Sequence, residues 1–368
     1  MFILLVISIL ITAIYGVFVI ISIFGFYKII DTQDCNDIND IKVSIVIAAR
    51  NEEEYIERCI NSILNQDFNY NNYEIIVVND HSEDDTLTIL QDLKIGNLKI
   101  LSLPNGVTSK KEALKLGIEN AQFNVISSTD ADCVLPPNWL KLLVSNINKD
   151  VDMLLGPIVF KEKVGLLNAF QQLDMLAIQT FQFGLLAINK PILNNGANLS
   201  FKKEEYQLVG GYDEYETPSG DDVFLLEKFI KQKLTIKGLL NKNFIVETNP
   251  MISYSQFFQQ RIRWASKSKF YAGKMLKMLS LIILFQNILQ IFIYSQVVLS
   301  ENFTNYYIFL LISKWLIDFI LLFLVAAFFN RKKSMLYFIP VQLFYPFYIL
   351  VVGFASMFLK FEWKGRKY

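Results

Sequence analysis

Long apolar runs at both ends limit what this chain can fold into more than any other feature. Phe2 to Ile23 carries no charge and is long enough to cross a hydrocarbon core of roughly 30 Å as a helix. Three further candidates follow: Met278 to Val298, Tyr306 to Phe329 and Met335 to Leu359. The apolar residues that make up 53% of the 368 positions gather in these end regions, and the middle reads as an ordinary water-facing domain. The expected organisation is an N-terminal transmembrane anchor over 1–28, a water-facing domain over 41–250, an interfacial amphipathic helix over 251–274, and a C-terminal transmembrane region of about three helices over 275–368.

Charge placement suggests an orientation. No Lys or Arg precedes the first run and no small-residue cleavage site follows it, so an uncleaved anchor fits better than a signal peptide. Lys28 lies just after the run, and Asn330-Arg331-Lys332-Lys333 separates the last two. Positive charge favours the cytoplasmic side, which makes the middle domain cytosolic; the expected location is as an integral protein of the plasma (inner) membrane. A full crossing by the last run would put Lys364, Arg366 and Lys367 outside, against that rule. Pro340 and Pro346 leave a re-entrant alternative open. Within the runs, Lys314 and Asp318 lie four apart, as do Gln286 and Gln290, so each pair shares a helix face. The glutamines read as helix–helix glue. The charged pair reads equally as glue or as a polar path or lipid headgroup site.

Composition excludes several classes. Lys plus Arg equals Asp plus Glu at 35 each, so nucleic acid is not an expected partner. Cys35, Cys59 and Cys133 are odd in number and lack metal-ligand spacing, which argues for a reducing compartment without a disulfide framework. His81 is the single histidine, so mechanisms that need several are excluded.

The middle alternates. Val43–Ile47, Ile75–Val78, Leu98–Leu101 and Val125–Ser127 read as strands; Glu53–Leu64, Asp84–Leu93 and Lys110–Ile118 read as helices. Thr32–Asp40 reads as a polar linker. Strand–helix alternation predicts an α/β fold with a mostly parallel sheet, and such sheets bind ligands beyond the carboxyl ends of their strands. Asp80 follows the second strand; Asp130 and Asp132 follow the fourth. Two carboxylates two residues apart at a strand end can hold a hard cation, Mg²⁺ or Mn²⁺, against a substrate diphosphate. Solvated loop charge is the competing reading. Asp221-Asp222 opens a helical pattern and suits either helix capping or a general base. Gln260 and Arg263 share a helical face beside Trp264. Their segment also carries Phe257, Phe258, Phe270, Arg261, Lys267, Lys269, Lys274 and Lys277, an interfacial profile with cations near headgroups.

In order, these residues resemble the family 2 inverting glycosyltransferases of the GT-A (Rossmann-like) fold, over about Ile41 to Tyr271 plus flanking transmembrane helices. The likeness is to the membrane-bound subset with hyaluronan, chitin and cellulose synthases and ceramide glucosyltransferase. Val43 to Glu52 is similar to the family's first strand and Asn-Glu turn, although proline is missing near Ala49. Asn79-Asp80-His81-Ser82 is similar to Asp-Asp-Gly-Ser, with Asn79 and His81 as departures. Ser109 to Gly117 is similar to Gly-Lys-x-x-Ala-Leu-Asn-x-Gly, with Ser109 and Lys115 replacing a glycine and an asparagine.

The resemblance implies a nucleotide-sugar donor, a UDP-sugar by expectation, bound by Ala49, Arg50, Glu52, Asp80, Lys110, Asp130, Gln260 and Arg263. It implies Mg²⁺ or Mn²⁺ on Asp130 and Asp132, Asp222 as catalytic base, and an acceptor lined by Asn198, Asp221 and Trp264. Asn198 stands in Asn195-Gly196-Ala197-Asn198, and Gln260, Arg263 and Trp264 form Gln-x-x-Arg-Trp. Expected partners are the donor, a lipid or glycan acceptor and membrane lipids. Alternatives are a polyprenyl-phosphate sugar synthase, a processive polysaccharide synthase, and a non-enzymatic degenerate nucleotide-binding membrane protein.

Overall fold

The computed structural model describes residues 2–31, 41–213, 221–267, 270–299, 305–359, 362–364 and 366–367. The expected linker Thr32–Asp40 with Cys35, the turn Pro218–Gly220, and Lys269 lie outside the described residues.

In chain order the elements begin with α1 (Phe2–Lys28), β1 (Val43–Ala49), α2 (Ile56–Leu64), β2 (Tyr73–Asn79), α3 (Thr86–Asp92), β3 (Leu98–Ser102), α4 (Lys110–Glu119), β4 (Val125–Asp130) and α5 (Trp139–Asn146). Next come β5 (Met153–Leu155), β6 (Ile158–Phe160), α6 (Leu166–Leu186), β7 (Leu199–Lys202), α7 (Lys203–Leu208), α8 (Asp221–Lys231), β8 (Ile236–Gly238) and β9 (Val246–Thr248). The chain continues through α9 (Tyr254–Ala265), α10 (Lys274–Leu299), α11 (Asn305–Phe328) and α12 (Phe338–Phe358), then the short β10 (Glu362–Trp363) and β11 (Arg366–Lys367). Two compact units result. One holds Ile29–Lys161 and Leu193–Asn249; the other holds Met1–Lys28, Glu162–Ile192 and Pro250–Tyr368. The stretch 162–192 therefore packs with the helices, and the sheet unit is discontinuous within the expected 41–250 span.

The sheet unit is built on a seven-stranded sheet in the order β3-β2-β1-β4-β7-β5-β8. β1 pairs in parallel with β2 and β4, and β2 with β3, while β7 runs antiparallel between β4 and β5. The β-branched runs explain β1 and β2. Val43, Ile45, Val46, Ile47, Ile75, Ile76, Val77 and Val78 are all fully buried, each such side chain contributing about 1.5–3 kcal/mol. Both faces of these central strands are covered, hence continuous rather than alternating apolar sequence. α4 lies close on the sheet at Gly117, where a Cβ would overlap the Val46 side chain. After β1–β2–β3 the chain returns to the other side of β1 to form β4. That reversal makes a switch point, where ligands bind open α/β sheets. The register sets Ala49 opposite Asn79 and Ala48 opposite Asp130, so three strands deliver their ends side by side.

Among the described residues the helical unit contains four helices long and apolar enough to cross a membrane: Val6–Lys28, Lys274–Val298, Asn305–Phe328 and Lys332–Phe358. α12 is continuous despite Pro346 in its interior. Pro340 falls in its first turn, where a missing N–H leaves no bond broken. The added member is α6, 21 residues long and buried along most of its length. Its backbone meets that of α1: a Cβ on Gly25 would overlap the Gly184 carbonyl oxygen, and one on Gly184 would overlap the Ser22 backbone. Small residues permit such close helix contact.

Several buried polar groups in this unit pair with one another. Lys314 Nζ pairs with Asp318 Oδ2 at 2.6 Å and donates to Gln342 Oε1 at 3.0 Å, while Tyr15 Oη donates to Asp318 Oδ1 at 2.6 Å. Gln290 donates to Tyr294 Oη, which donates to the Gln342 carbonyl; Thr12 donates to Gln286. The charged pair is 4% and 8% exposed, and its partners come from α1 and α12. It therefore ties helices together as the glutamines do.

Candidate active site

The carboxyl ends of β1 and β2 open into two loops that are bonded to each other. Arg50 is buried, and its Nη1 donates to the carbonyls of Asp80 (2.8 Å) and His81 (2.7 Å) while Nη2 donates to the Glu83 carboxylate (3.0 Å). Asn51 donates its amide to Ser82 Oγ, and its side-chain oxygen accepts from the Glu83 amide. Glu52 donates its amide to Thr86 Oγ1, and Glu53 donates its own to Asp84. Burial opposes the Asp84 charge, but hydrogen bonds from Thr86 and the Glu53 amide outweigh it and hold its pKa below the usual carboxylate range. Asn51 and His81 both adopt left-handed backbone, φ 51° and 53°. That conformation is uncommon outside glycine but enriched at both asparagine and histidine. Asp80 is almost wholly enclosed, its amide donating to the Ala49 carbonyl at 2.8 Å and its Oδ1 lying 3.3 Å from His81 Nδ1. Arg50 thus braces the loop that carries Asp80.

Asp130 ends β4 and pairs with Lys110. Lys110 opens α4, capped by Ser109 Oγ, which accepts from the Glu112 amide. A cation in the first turn works against the helix dipole, so Asp130 rather than helix stability accounts for this lysine's place. The two side chains are 24% and 37% exposed, open to an incoming ligand.

Asp222 stands in the first turn of α8. Its Oδ2 accepts from the Gly196 amide at 3.0 Å, its Oδ1 from the Val223 amide at 2.9 Å, and its carbonyl from Asn194. A Cβ built on Gly196 would lie 3.8 Å from Lys110 Nζ and 3.9 Å from Asp222 Cβ. Asp222, Gly196, Lys110 and Asp130 therefore meet at one place, and Ser128 on β4 fastens Gly196 by donating to its carbonyl at 2.8 Å. Asp222 bonds an amide in the first turn of its own helix and also faces this cluster. The Asp221 side chain lies outside the described residues.

Asp132 has partners of its own. Its Oδ2 accepts from Thr248 Oγ1 at 2.9 Å and the Asn249 amide at 3.3 Å. Sequence reasoning missed both partners, which lie far along the chain. Asn198 is also committed within the fold. Its amide nitrogen donates to the carbonyls of Pro157 and Phe244, and its oxygen accepts from Trp139 Nε1. At 1% exposure it supports the loop from beneath rather than lining a pocket. Cys59 and Cys133 are fully enclosed, and burial pushes both thiols well above their usual range.

The donor set suits a hard divalent cation. Asp130 and Asp132 offer carboxylate oxygens, and Thr248 and Asn249 orient the second of them. No group of three or more His, Cys, Asp or Glu that could hold a metal exists among the described residues. An ion here needs substrate phosphates or water to complete its shell, the usual habit of Mg²⁺.

Gln260, Arg263 and Trp264 lie on α9 in the helical unit, each part-buried. The headgroup position expected of Arg261 is not observed. Arg261 is 3% exposed, with its Nε 2.9 Å from Asp174 Oδ2 on α6. The reason is a counter-charge on a helix that the sequence pattern did not reveal. Lys267 is likewise buried.

The chain matches two family models: "Glycosyl transferase family 2" over residues 44–202 and "Glycosyl transferase family group 2" over residues 125–356. It is 27% identical over 182 residues to the glycosyltransferase AglE of Haloferax volcanii, covering 49% of this chain and 58% of that protein. It is 26% identical over 233 residues to the Methanococcus voltae dolichyl N-acetyl-alpha-D-glucosaminyl phosphate 3-beta-D-2,3-diacetamido-2,3-dideoxy-beta-D-glucuronosyltransferase, covering 60% of this chain and 68% of that one. The chain spans 33% to 58% of the length of the first curated relatives it matches. Among solved structures, the mannosyltransferase PcManGT from Pyrobaculum calidifontis, in complex with GDP-Man and Mn²⁺, superposes with a TM-score of 0.57 at 14% identity. That match covers 96% of this chain and 99% of the other, and shows a shared fold.

Proposed function

The chain belongs to glycosyl transferase family group 2, and from that premise we propose that it moves a sugar, with inversion, from a nucleoside diphosphate donor to a hydroxyl of a lipid-linked or glycan acceptor at the cytosolic face of a membrane. The observation that carries this reading is the meeting of Asp222 with the Lys110–Asp130 pair around Gly196.

In this mechanism the loops after β1 and β2 receive the nucleotide, with Ala49, Glu52 and Asp80 along the crevice and Arg50 bracing it. Asp130 and Asp132 would hold Mg²⁺ or Mn²⁺, which supplies Lewis-acid stabilisation of the diphosphate when bound. Lys110 adds a fixed positive charge where negative charge develops on the departing group; the family resemblance gives Gln260 and Arg263 a share in donor binding. Asp222, oriented by two amide donors, accepts the proton of the acceptor hydroxyl. That oxygen attacks the anomeric carbon on the face opposite the diphosphate, the C–O bond to the diphosphate breaks, and the configuration inverts. Asp221 and Trp264 keep the acceptor role that the family resemblance implies. The cytosolic orientation rests on Lys28 and the 331–333 cations; the lipid-linked acceptor fits four helices long enough to cross a bilayer and the dolichyl phosphate named for the Methanococcus relative.

A screen of nucleotide release in membranes tests this, with UDP-glucose, UDP-N-acetylglucosamine and GDP-mannose as donors and mass spectrometry of the lipid extract. The wild type should release nucleotide from at least one donor and lose that activity in excess chelator. Asp222→Asn should transfer about 10²–10⁴-fold more slowly while still binding donor. Wild-type transfer rates in a folded Asp222→Asn protein would remove the base from this scheme.

A further inference from the structure

Arg261 occupies an unusual position for a cation, buried within the helical unit. Its Nη1 donates to Gln260 Oε1 at 3.2 Å, and its guanidinium carbon lies 4.1 Å from the Trp264 ring centroid and 5.0 Å from that of Phe257. On its other side is Asp174 of α6, whose two oxygens also accept from Tyr345 (3.1 Å) and Tyr348 (3.4 Å) of α12. Phe170 and Phe257 pack against Tyr348 at 5.0 and 5.5 Å and close the cluster. Removing two such charges from water is costly unless geometry and added hydrogen bonds offset it. The offset here is incomplete: Arg261 Nε lies near Asp174 but off its N–H axis, and neither Nε nor Nη2 has an aligned acceptor among the described residues. Apolar residues in place of a buried ion pair are often as stable or more so, so stability alone does not explain the pair.

We propose that Arg261 is a positioning residue for sugar transfer: held by Asp174, Tyr345 and Tyr348, it fixes the Gln260 amide and the Trp264 indole in one geometry. The inference rests on the reading that Gln260, Arg263 and Trp264 serve the reaction. A planar guanidinium suits the task because it can stack on the indole with its face while its edge bonds Gln260 and Asp174; an ammonium cannot do both. Asp174 acts one step further back, and the α12 tyrosines carry the arrangement to a membrane-length helix. Misplacing catalytic groups by about 1 Å can cost on the order of a hundredfold, so the effect should appear in turnover.

The test uses the full chain in detergent micelles, the donor that the wild type accepts, and the chloroform–methanol extract of the source membranes as acceptor. Arg261→Lys is expected to lower kcat at least tenfold per folded molecule, with the thermal midpoint nearly unchanged. Asp174→Asn should match it in kcat, at a lower thermal midpoint because Arg261 is left buried without its counter-charge; Asp174→Glu should restore part of the loss, and the Asp174→Asn/Arg261→Lys double variant should lose no more kcat than either alone, as expected for groups acting as a unit. Should these variants fail to fold, Tyr348→Phe removes only a hydroxyl and is expected to cost two- to fivefold in kcat. An unchanged kcat per folded molecule in the folded variants, whatever their thermal midpoint, overturns the proposal. Wild-type protein that transfers nothing fails the transfer reading instead, so the two failures are separable.

Discussion

Two lysine–aspartate pairs show how the units differ. Lys110–Asp130 in the sheet unit is about a quarter to a third exposed, set at the end of a strand and the start of a helix. Lys314–Asp318 in the helical unit is sealed, one turn apart on α11, with Tyr15 and Gln342 completing its bonds. The same chemistry serves opposite ends. The open pair can exchange partners with a ligand, whereas the closed pair holds helices together and has no capacity to spare.

Breaking the closed pair should have the larger effect on stability. Lys314→Met leaves Asp318 buried without its counter-charge and should destabilise by about 3–5 kcal/mol, visible as a lower thermal midpoint in detergent. Adding Asp318→Leu should recover most of that loss, because replacing a whole buried pair by apolar residues is often neutral. The open pair should respond in the other direction. Lys110→Met is expected to slow transfer about 10²–10³-fold while thermal stability stays close to wild type, measured by nucleotide release and a thermal scan on one preparation. A large thermal loss there would erase the distinction between the pairs. The smallest effect belongs to Lys141–Asp67, 2.5 Å apart but 31% and 68% exposed. Lys141→Ala should change stability by roughly 0–1 kcal/mol, less still at high salt.

The same contrast explains what could be read in advance. β1, β2 and β4 were legible because buried parallel strands write continuous apolar runs, and the residues after them follow from the strand-end rule. β4 extends to Asp130, further than its apolar residues alone indicate, because Ser127 and Ser128 find hydroxyl and carbonyl partners inside the sheet. α6 was not legible. Gln171, Gln172, Asp174, Gln179 and Gln182 interrupt its apolar period, so it resembles neither a surface helix nor a span. They are tolerated because protein surrounds them, as where Gln171 bonds the Met251 backbone in both directions. Missing α6 led directly to misplacing Arg261, since a charge can be buried only where a counter-charge awaits it. Thr248 and Asn249 were hidden for a related reason: Asp132 finds them through folding alone, at a separation of over a hundred residues.

The meeting of Gly25 and Gly184 bears on how this enzyme can be handled. The leading helix touches α6 backbone to backbone, with no side chain between them. Cutting away that helix to obtain a water-soluble enzyme would leave a bare groove along α6, the helix that carries Asp174. Production is better directed at whole protein in micelles or nanodiscs, with the first thirty residues treated as an integral wall of the molecule.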